Sequence, residues 1–186
     1  MQNWVIIEER YLDYLRAVES RIPFSDYGAN KFKPFFGALF ELGDLVYVTQ
    51  ISHAQERHER MRNSLDFIKI YLPDNKFVVT DRLVAVVNLN YMFPVPKSLV
   101  QNLDYKDIEQ HRSFKSAAEK SRYIDLLTKE LKKINALGIA CKAKKLYELR
   151  KNYPHDRISR RCLDFSALEL VAHNYAGNTT KETVSV

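Results

Sequence analysis

The apolar positions at the start of the chain change their spacing once. The run Trp4–Ile7 is typical of a short strand, whereas Tyr11, Leu15 and Val18 recur at steps of three or four residues. Such steps place apolar side chains on one face of a helix. The pattern therefore predicts a strand followed by a helix that ends at Pro23.

The middle of the chain follows the pattern of an antiparallel sheet built from hairpins. Apolar, β-branched segments alternate with turn residues, and Gly43–Asp44 suits a hairpin turn. The polar stretch 54–62 is predicted to be a short helix or a loop, and Pro94 and Pro96 close the region. The predicted fold class is α+β, with a twisted antiparallel sheet bent into a small, partly open barrel. The predicted strands are 33–42, 45–51, 64–72, 77–80 and 83–89, with a loop at 24–31 and a turn at 73–76.

The last third of the chain is predicted to be helical. Residues 108–114 could begin a helix, and 117–136 carry a clear apolar stripe. Gly138 suits a C-cap, after which 139–152 form a second helix. Ser166–Glu169 has the spacing of a capping box, which predicts the start of a last helix.

Composition indicates an ordinary globular protein. Of 186 residues, 46% are hydrophobic and 28% charged, and no apolar run is long enough to cross a bilayer. We expect one domain over residues 1–176, a flexible tail over 177–186, no membrane association and a location in the cytoplasm. Cys141 and Cys162 lack zinc-ligand spacing and are predicted to be buried thiols.

The positive charge is concentrated in one segment. The whole chain has a net charge of +6, and residues 141–161 alone hold eight Lys or Arg against two acidic residues, also +6. A charge run is often only a solvated helix face. A cluster of one sign on this scale nevertheless favours a surface that contacts phosphates.

The familiar nucleotide and hydrolase motifs do not occur. There is no glycine-rich phosphate loop and no GxSxG elbow. His53 and His58 are five residues apart, so on a helix they would point to different faces rather than share a metal. We predict no metal and no cofactor, and a metal-dependent nuclease is the weakest alternative.

The segment ISHAQ, which follows the predicted strand 45–51, offers the groups that metal-free RNA cleavage needs. The 2′-hydroxyl of RNA is an internal nucleophile, so a protein must only align it, move protons and stabilise phosphoryl charge. Ser52, His53 and Gln55 could serve these ends, and Lys33 lies near the start of the preceding predicted strand. Each residue also has a plainer role, as a turn cap, a surface histidine or a solvated charge.

Several segments together resemble the ToxN/AbiQ family of type III toxin–antitoxin systems, with the closest similarity to its TenpN branch. The resemblance rests on KFKPFFGALFELGDLVYVTQISHAQERH, VVNLNYMFPVP, YIDLLTKELKKINALGIACKAKKLYELR and CLDFSALE, in that order. It implies a sheet related to the small barrels of the MazF and Kid toxins. It also implies a metal-independent endoribonuclease that leaves a 2′,3′-cyclic phosphate and a 5′-hydroxyl.

The same resemblance implies partners. The antitoxin would be a small RNA, cut from tandem repeats by the toxin and folded as a pseudoknot that blocks the active site in a closed toxin–RNA assembly. The substrates would be cellular and phage mRNA, and release of the toxin would stop growth during phage infection.

The resemblance also suggests catalytic positions. Ser52 matches the family's hydroxyl residue, Lys33 its lysine before the aromatic–glycine pair, and Tyr27 a tyrosine in the loop before it. His53 stands where relatives often have serine, and Gln55 where some have lysine. An amide cannot replace an ammonium group as a charge or a proton donor. We therefore expect His53 to be the acid or base, Ser52 to orient the RNA and Lys33 to stabilise charge.

The remaining polar residues of these segments are predicted to bind RNA. A non-catalytic RNA-binding module that uses the same basic surface is the main alternative. The predicted RNA-binding residues are Lys31, Arg57, His58, Arg60, Arg62, Asn88, Asn90, Lys142, Lys144, Lys145, Arg150, Lys151, Arg157, Arg160 and Arg161.

Overall fold

The structure is a computed structural model that describes residues 2–28, 32–75 and 78–183. Its fold is α+β, as predicted, with eight antiparallel strands and helices on either side of them in sequence. The strands are β1 Asn3–Ile7, β2 Phe35–Gly37, β3 Glu41–Leu42, β4 Leu45–His53, β5 Phe67–Asn75, β6 Val78–Asn88, β7 Phe93–Pro96 and β8 Val100–Asn102. The helices are α1 Glu9–Arg16, α2 Glu56–Arg60, α3 Ala117–Ala136, α4 Ile139–Asn152 and α5 Phe165–Thr183, with 3₁₀ turns at Leu89–Tyr91, Lys97–Leu99, Tyr105–Gln110 and Ser159–Arg161.

Strand β4 is the centre of the sheet. Its first half pairs with β3 and β7, and its second half pairs with β2 and β6. The main path of the sheet runs β5-β6-β4-β2-β1-β8, so within the described residues the sheet is open rather than a closed barrel. A strand paired on both sides has little freedom to shift, which makes the end of β4 a rigid place for functional side chains.

The burial of β4 changes abruptly near its end. Residues 45–51 are buried, Ser52 is half-buried and His53 is exposed. The buried part is rich in β-branched and aromatic residues, which suit a strand covered on both faces. The sequence thus drives β4 through the core and brings Ser52 and His53 to the surface.

Hydrogen bonds across long sequence separations fasten the C-terminal helices to the sheet. Trp4 Nε1 donates to the carbonyl oxygen of Leu127 on α3 at 2.9 Å, and the Tyr47 hydroxyl donates to Glu169 Oε1 on α5 at 2.6 Å. Both ring systems are buried in the hydrophobic core. Because buried polar groups need partners, these contacts fix where α3 and α5 cross the sheet.

Two N-terminal predictions were wrong in detail. Helix α1 ends at Arg16 rather than at Pro23, and Val18, expected on its apolar face, is 60% exposed. The strand predicted over 33–42 is divided into β2 and β3, with an irregular connection between them. At that break Gly37 is packed so closely against β4 that an added Cβ would lie 2.8 Å from Val48 Cγ1.

The strands after β5 also differ from the prediction. The two strands expected at 77–80 and 83–89 are one strand, β6, because Asp81 and Arg82 project from an exposed part of the hairpin with β5 and do not interrupt it. Pro94 and Pro96 lie within β7, where the missing N–H groups are tolerated because β7 pairs only with β4 among the described strands. β8 was not predicted. Lys76 and Phe77, parts of the predicted turn and strand, lie outside the described residues.

The C-terminal predictions were correct for the two long helices and wrong at three other points. Residues 108–114 do not begin a helix, since a 3₁₀ turn covers Tyr105–Gln110. Helix α5 begins at Phe165, and Asp164 Oδ1 accepts from the backbone N–H of Ala167 at 3.2 Å, so the predicted capping box is not the start. Cys141 is exposed, and only Cys162 is buried as expected.

The last helix continues to Thr183, beyond the boundary predicted at residue 176. Residues 177–183, part of the predicted flexible tail, belong to this helix, while 184–186 lie outside the described residues. The single-domain boundary itself stays a prediction. In the described part of the chain, no helix combines the length and the apolar character needed to cross a membrane.

Candidate active site

Lys33 and Ser52 are brought together where β2 meets β4. Phe35, the first residue of β2, pairs with Gln50, and Lys33 precedes that strand by two residues. Both residues line one recess, and His53 lines it as well. The predicted proximity of Lys33 to the end of β4 is thus found in the structure.

The buried side-chain amide of Gln50 holds the residues around this recess in place. Gln50 Nε2 donates to the carbonyl oxygens of Phe24 at 2.7 Å and Lys33 at 3.3 Å, while its Oε1 accepts from the Tyr27 hydroxyl at 2.7 Å. The backbone N–H of Lys33 also donates to Ser25 at 2.9 Å. The loop that carries Tyr27 and Lys33 is therefore held against β4 by side-chain hydrogen bonds rather than by regular strand pairing.

Two recesses meet at Ser52, which lines both. The first recess has a volume of about 350 Å³ and is also lined by Lys33 and His53. The second has a volume of about 290 Å³ and is also lined by Tyr27. The Lys33 ammonium lies 4.8 Å from the centre of the Tyr27 ring. The other residues of the first recess are Trp4, Phe32, Pro34, Ile51, Arg112, Tyr123, Leu126, Leu127 and Glu130, and those of the second are Arg21, Pro23, Gln50, Asn88 and Tyr91.

The electrostatic setting keeps His53 neutral. Partial burial lowers the pKa of its imidazole below 6.5, and the positive charges of Lys33 and Arg112 lower that pKa further. Burial raises the pKa of the Tyr27 hydroxyl, which therefore keeps its proton. The corner thus offers a neutral imidazole and neutral hydroxyl groups beside fixed positive charge.

Arg112 is a site residue that the sequence did not reveal. Its guanidinium lies 4.4 Å from the centre of the Tyr123 ring and 3.5 Å from Glu119 Oε1, and it lines the first recess. Its Nε is buried and makes no hydrogen bond. Since Arg112 follows a 3₁₀ turn far along the chain from β4, nothing in its neighbourhood in the sequence indicated the site.

Glu130 is a second residue that was missed. It is 6% exposed and lines the first recess. Burial raises the pKa of its carboxyl group to about 7. A signal was present, because an acidic residue at 130 interrupts the apolar stripe of α3 between Leu127, Leu131 and Ile134.

The structure gives Gln55 and His58 a local role. Gln55 is the N-cap of α2, and its backbone N–H donates to Nδ1 of His58 at 3.0 Å. His58 is buried beside the ring of Phe67, and burial lowers its pKa. His58, at 6% exposed, offers little surface for its predicted contact with RNA, which stays a prediction. Gln55 caps a helix at the position where some relatives have a charged lysine.

Comparison with known proteins identifies the family. The family described as "Toxin ToxN, type III toxin-antitoxin system" matches residues 3–173. The chain belongs to the ToxN family. This confirms the resemblance read from its segments.

The similarity to individual ToxN-family proteins extends over most of the chain. Endoribonuclease ToxN of Bacillus thuringiensis subsp. kurstaki is 24% identical over 176 residues, 91% of this chain and 81% of that protein. A toxin solved in a study of selective toxin inhibition by a non-coding RNA pseudoknot has a TM-score of 0.71 at 22% identity, covering 94% of this chain and 98% of that one. AbiQ, a lactococcal anti-phage endoribonuclease of a type III system, has a TM-score of 0.72 at 18% identity, covering 95% and 99%. These solved structures confirm the fold.

The basic segment of this ToxN-family toxin, residues 141–161, has its C-terminal end next to the second recess. Asn90 Nδ2 donates to the carbonyl oxygen of Arg161 at 3.3 Å, and Leu163 N–H donates to that of Asn90 at 3.0 Å. Asn90 follows Asn88 and precedes Tyr91, both of which line the recess. Asn90 thus fastens the basic segment beside the site, while Asn88 faces the site directly.

Two of the predicted RNA-binding arginines between residues 141 and 161 are paired within the protein. Arg161 lies 2.9 Å from Asp66 Oδ1, whose side chain is buried, and Arg150 lies 3.7 Å from Asp164 Oδ2. Half-buried Lys142 and five exposed residues complete the set: Lys144, Lys145, Lys151, Arg157 and Arg160.

The other predicted RNA contacts extend along α2. Arg57, Arg60 and Arg62 are exposed, and Arg60 forms an exposed ion pair with Glu56 at 3.2 Å. Such a pair is weak and gives way easily to a phosphate. Lys31 lies outside the described residues. Among the described residues, no three His, Cys, Asp or Glu side chains are placed so that they could hold a metal ion.

Proposed function

We propose that this ToxN-family toxin is a metal-independent, sequence-selective endoribonuclease that cuts RNA by attack of the 2′-hydroxyl. The observation that carries the proposal is the meeting of Lys33, Ser52 and His53 at one recess. An imidazole, a hydroxyl group and an ammonium group are sufficient for this reaction, because the nucleophile belongs to the RNA.

The reaction forms one bond and breaks one bond at phosphorus. The 2′-oxygen attacks the adjacent phosphorus as its proton passes to a base, and the bond from phosphorus to the 5′-oxygen breaks. The 5′-oxygen takes up a proton, so that the products are a 2′,3′-cyclic phosphate and a 5′-hydroxyl. The neutral His53 is suited to move one of these protons.

Charge on the phosphoryl oxygens needs a positive partner. Gln55 caps α2 and carries no charge, so Lys33 and Arg112 are the cations at hand beside His53. Ser52 lies between the two recesses, where its hydroxyl can orient the phosphate or the 2′-oxygen. The RNA chain would then continue from the second recess toward the basic segment.

The proposed regulation follows from the relatives. One solved relative comes from work on selective inhibition of the toxin by an RNA pseudoknot, and another from work on a processed non-coding RNA that regulates an antiviral system. We extend both features to this chain. Its own repeat-derived pseudoknot RNA would neutralise the toxin in a closed toxin–RNA assembly. Toxin released from that assembly would cleave cellular and phage mRNA in abortive infection.

Purified protein incubated with cellular RNA in EDTA tests the proposal. We expect cutting with cyclic-phosphate and 5′-hydroxyl ends, and a loss of about 10²-fold or more in His53→Ala. His173→Ala, which changes an exposed histidine on α5, is the matched control and should cut normally. Cutting that stops in EDTA would indicate a metal-dependent nuclease, and RNA binding without cutting would indicate a binding module.

A further inference from the structure

The first recess extends beyond the groups that the cleavage reaction needs. Besides Lys33, Ser52 and His53, it has walls from aromatic and aliphatic side chains, among them Trp4, Phe32 and Leu126. At about 350 Å³ it is within the size range of ligand pockets. Flat apolar walls suit the face of a nucleobase, which stacks on aromatic rings.

Glu130 is an isolated acceptor in this recess. It is 6% exposed, and within the described residues no ion pair or hydrogen bond engages its carboxyl group. Burial is the one cause that shifts its pKa, so no nearby cation compensates the carboxylate. Its oxygens are not among the completely buried side-chain atoms without a partner, so they face the recess, where a ligand can donate hydrogen bonds to them.

We propose that the first recess binds a nucleobase beside the cleaved phosphate and that Glu130 accepts a hydrogen bond from its exocyclic amino group. This proposal rests on the proposed function. In its ionised form Glu130 repels a phosphate, whereas Lys33 and Arg112 attract a phosphate to the His53 end of the recess. Adenine, cytosine and guanine carry an amino group and uracil does not, so the recess selects against uracil at one position next to the cut.

The test compares cleavage of four oligonucleotides that differ only in the base at a position flanking the cut, each position in turn. We expect the wild type to prefer amino-bearing bases over uracil by about tenfold or more at one position. Glu130→Leu, which has similar size and no acceptor, should lose that preference and still cut the uracil substrate. Leu126→Trp narrows the recess while Glu130 itself is retained, and it should raise KM for base-containing substrates, with little effect on an abasic one.

The outcomes separate the two proposals. If the wild type cuts none of the RNAs, the proposed function fails, and the base recess fails with it. If the wild type cuts but Glu130→Leu shows the same base preference, only the base recess is wrong. Unchanged KM in Leu126→Trp likewise contradicts the base recess.

Discussion

The hydroxyl group of Tyr27 donates a 2.7 Å hydrogen bond to Gln50, and the other end of the same amide holds the backbone of Lys33. Gln50 is 8% exposed and belongs to β4, two residues before Ser52. One side chain of the rigid central strand therefore sets the position of two predicted site residues relative to a third. Gln50 touches none of the reacting atoms and acts by positioning.

Gln50→Leu should lower kcat for RNA cleavage by about 10- to 100-fold, because small displacements of catalytic groups reduce the rate strongly. KM should change less, since the basic surface remains. Thr49→Val is the matched control: Thr49 is also buried on β4, and this variant loses one hydrogen bond, from Oγ1 to the carbonyl oxygen of Asn88 at 3.1 Å, whereas Gln50→Leu loses three. Each lost hydrogen bond should cost about 1 kcal/mol of stability, so Gln50→Leu should be the less stable variant. Equal loss of kcat in the two would show that Gln50 has no special positioning role.

The fold was predictable wherever the hydrophobic pattern was long and regular. Helices α3 and α4 and the central strand β4 have strong patterns. The two helices have their predicted bounds, and β4 begins as predicted at Leu45 but continues past residue 51 to His53. Short strands were not, because β8 has three residues and depends on pairing with β1 for its existence. Pairing partners far apart in sequence leave no local periodicity.

The site was predictable only in part, for the same reason. Ser52 and His53 end β4, and Lys33 precedes the adjacent strand β2, whose pairing with β4 the hairpins suggested. Arg112 and Glu130 reach the same recess from the C-terminal half, which depends on how α3 docks against Trp4. The burial of His58 and the pairing of Arg161 were likewise invisible, because both depend on tertiary contacts.

The pH dependence of cleavage should reveal the influence of Arg112 on His53. The charge of Arg112 lowers the pKa of His53, so Arg112→Gln should raise that pKa. The limb of the pH–rate profile that reports His53 should move to higher pH, whether His53 acts as acid or base. kcat should also fall about tenfold or more if Arg112 stabilises phosphoryl charge. Arg122→Gln, at an exposed position on α3, should leave the profile in place. A downward shift in Arg112→Gln would contradict the assignment.

The exposed lysines of α4 should contribute to RNA binding through phosphates. Changing Lys144, Lys145 and Lys151 together to Gln should weaken binding of the antitoxin RNA. The slope of log affinity against log salt should flatten by up to about 2, at roughly 0.7 for each lost contact with a single strand. Changing Lys106, Lys129 and Lys132 to Gln removes the same charge from exposed positions elsewhere. If the slope of log affinity against log salt flattens equally in both triple variants, α4 is not the RNA-binding surface.

Arg161 should matter for stability more than for RNA binding. Its partner Asp66 is 3% exposed, so Arg161→Gln leaves a buried carboxylate whose one remaining side-chain donor, among the described residues, is Ser64. We expect a loss of about 2 kcal/mol or more in the free energy of unfolding, with a small change in the salt slope. Arg157 lies in the same segment and is exposed, so Arg157→Gln should leave the free energy of unfolding almost unchanged and reduce the salt slope of RNA binding. Denaturant unfolding and RNA binding at several salt concentrations measure both effects.

Glu130 should make the folded toxin less stable as the pH rises from about 4.5 to about 7. Below pH 4.5 the carboxyl group is protonated in both states and has no effect. Between these values the unfolded chain releases the proton, whereas the folded protein retains it, because burial raises the pKa from 4.5 to about 7. Folding then becomes less favourable with each unit of pH, up to a total of about 3 kcal/mol.

Glu130→Gln replaces the ionisable carboxyl group by an amide of the same shape. The free energy of unfolding of this variant, relative to the wild type, should be lowest near pH 4.5, increase through pH 7 and then remain constant. Urea unfolding of the RNA-free toxin at several pH values measures this difference. A difference in stability between the two proteins that is independent of pH would mean that the carboxyl group ionises normally in the folded state. In that case the recess would already provide it with water or a donor, and the selectivity for an amino-bearing base would have to come from other residues.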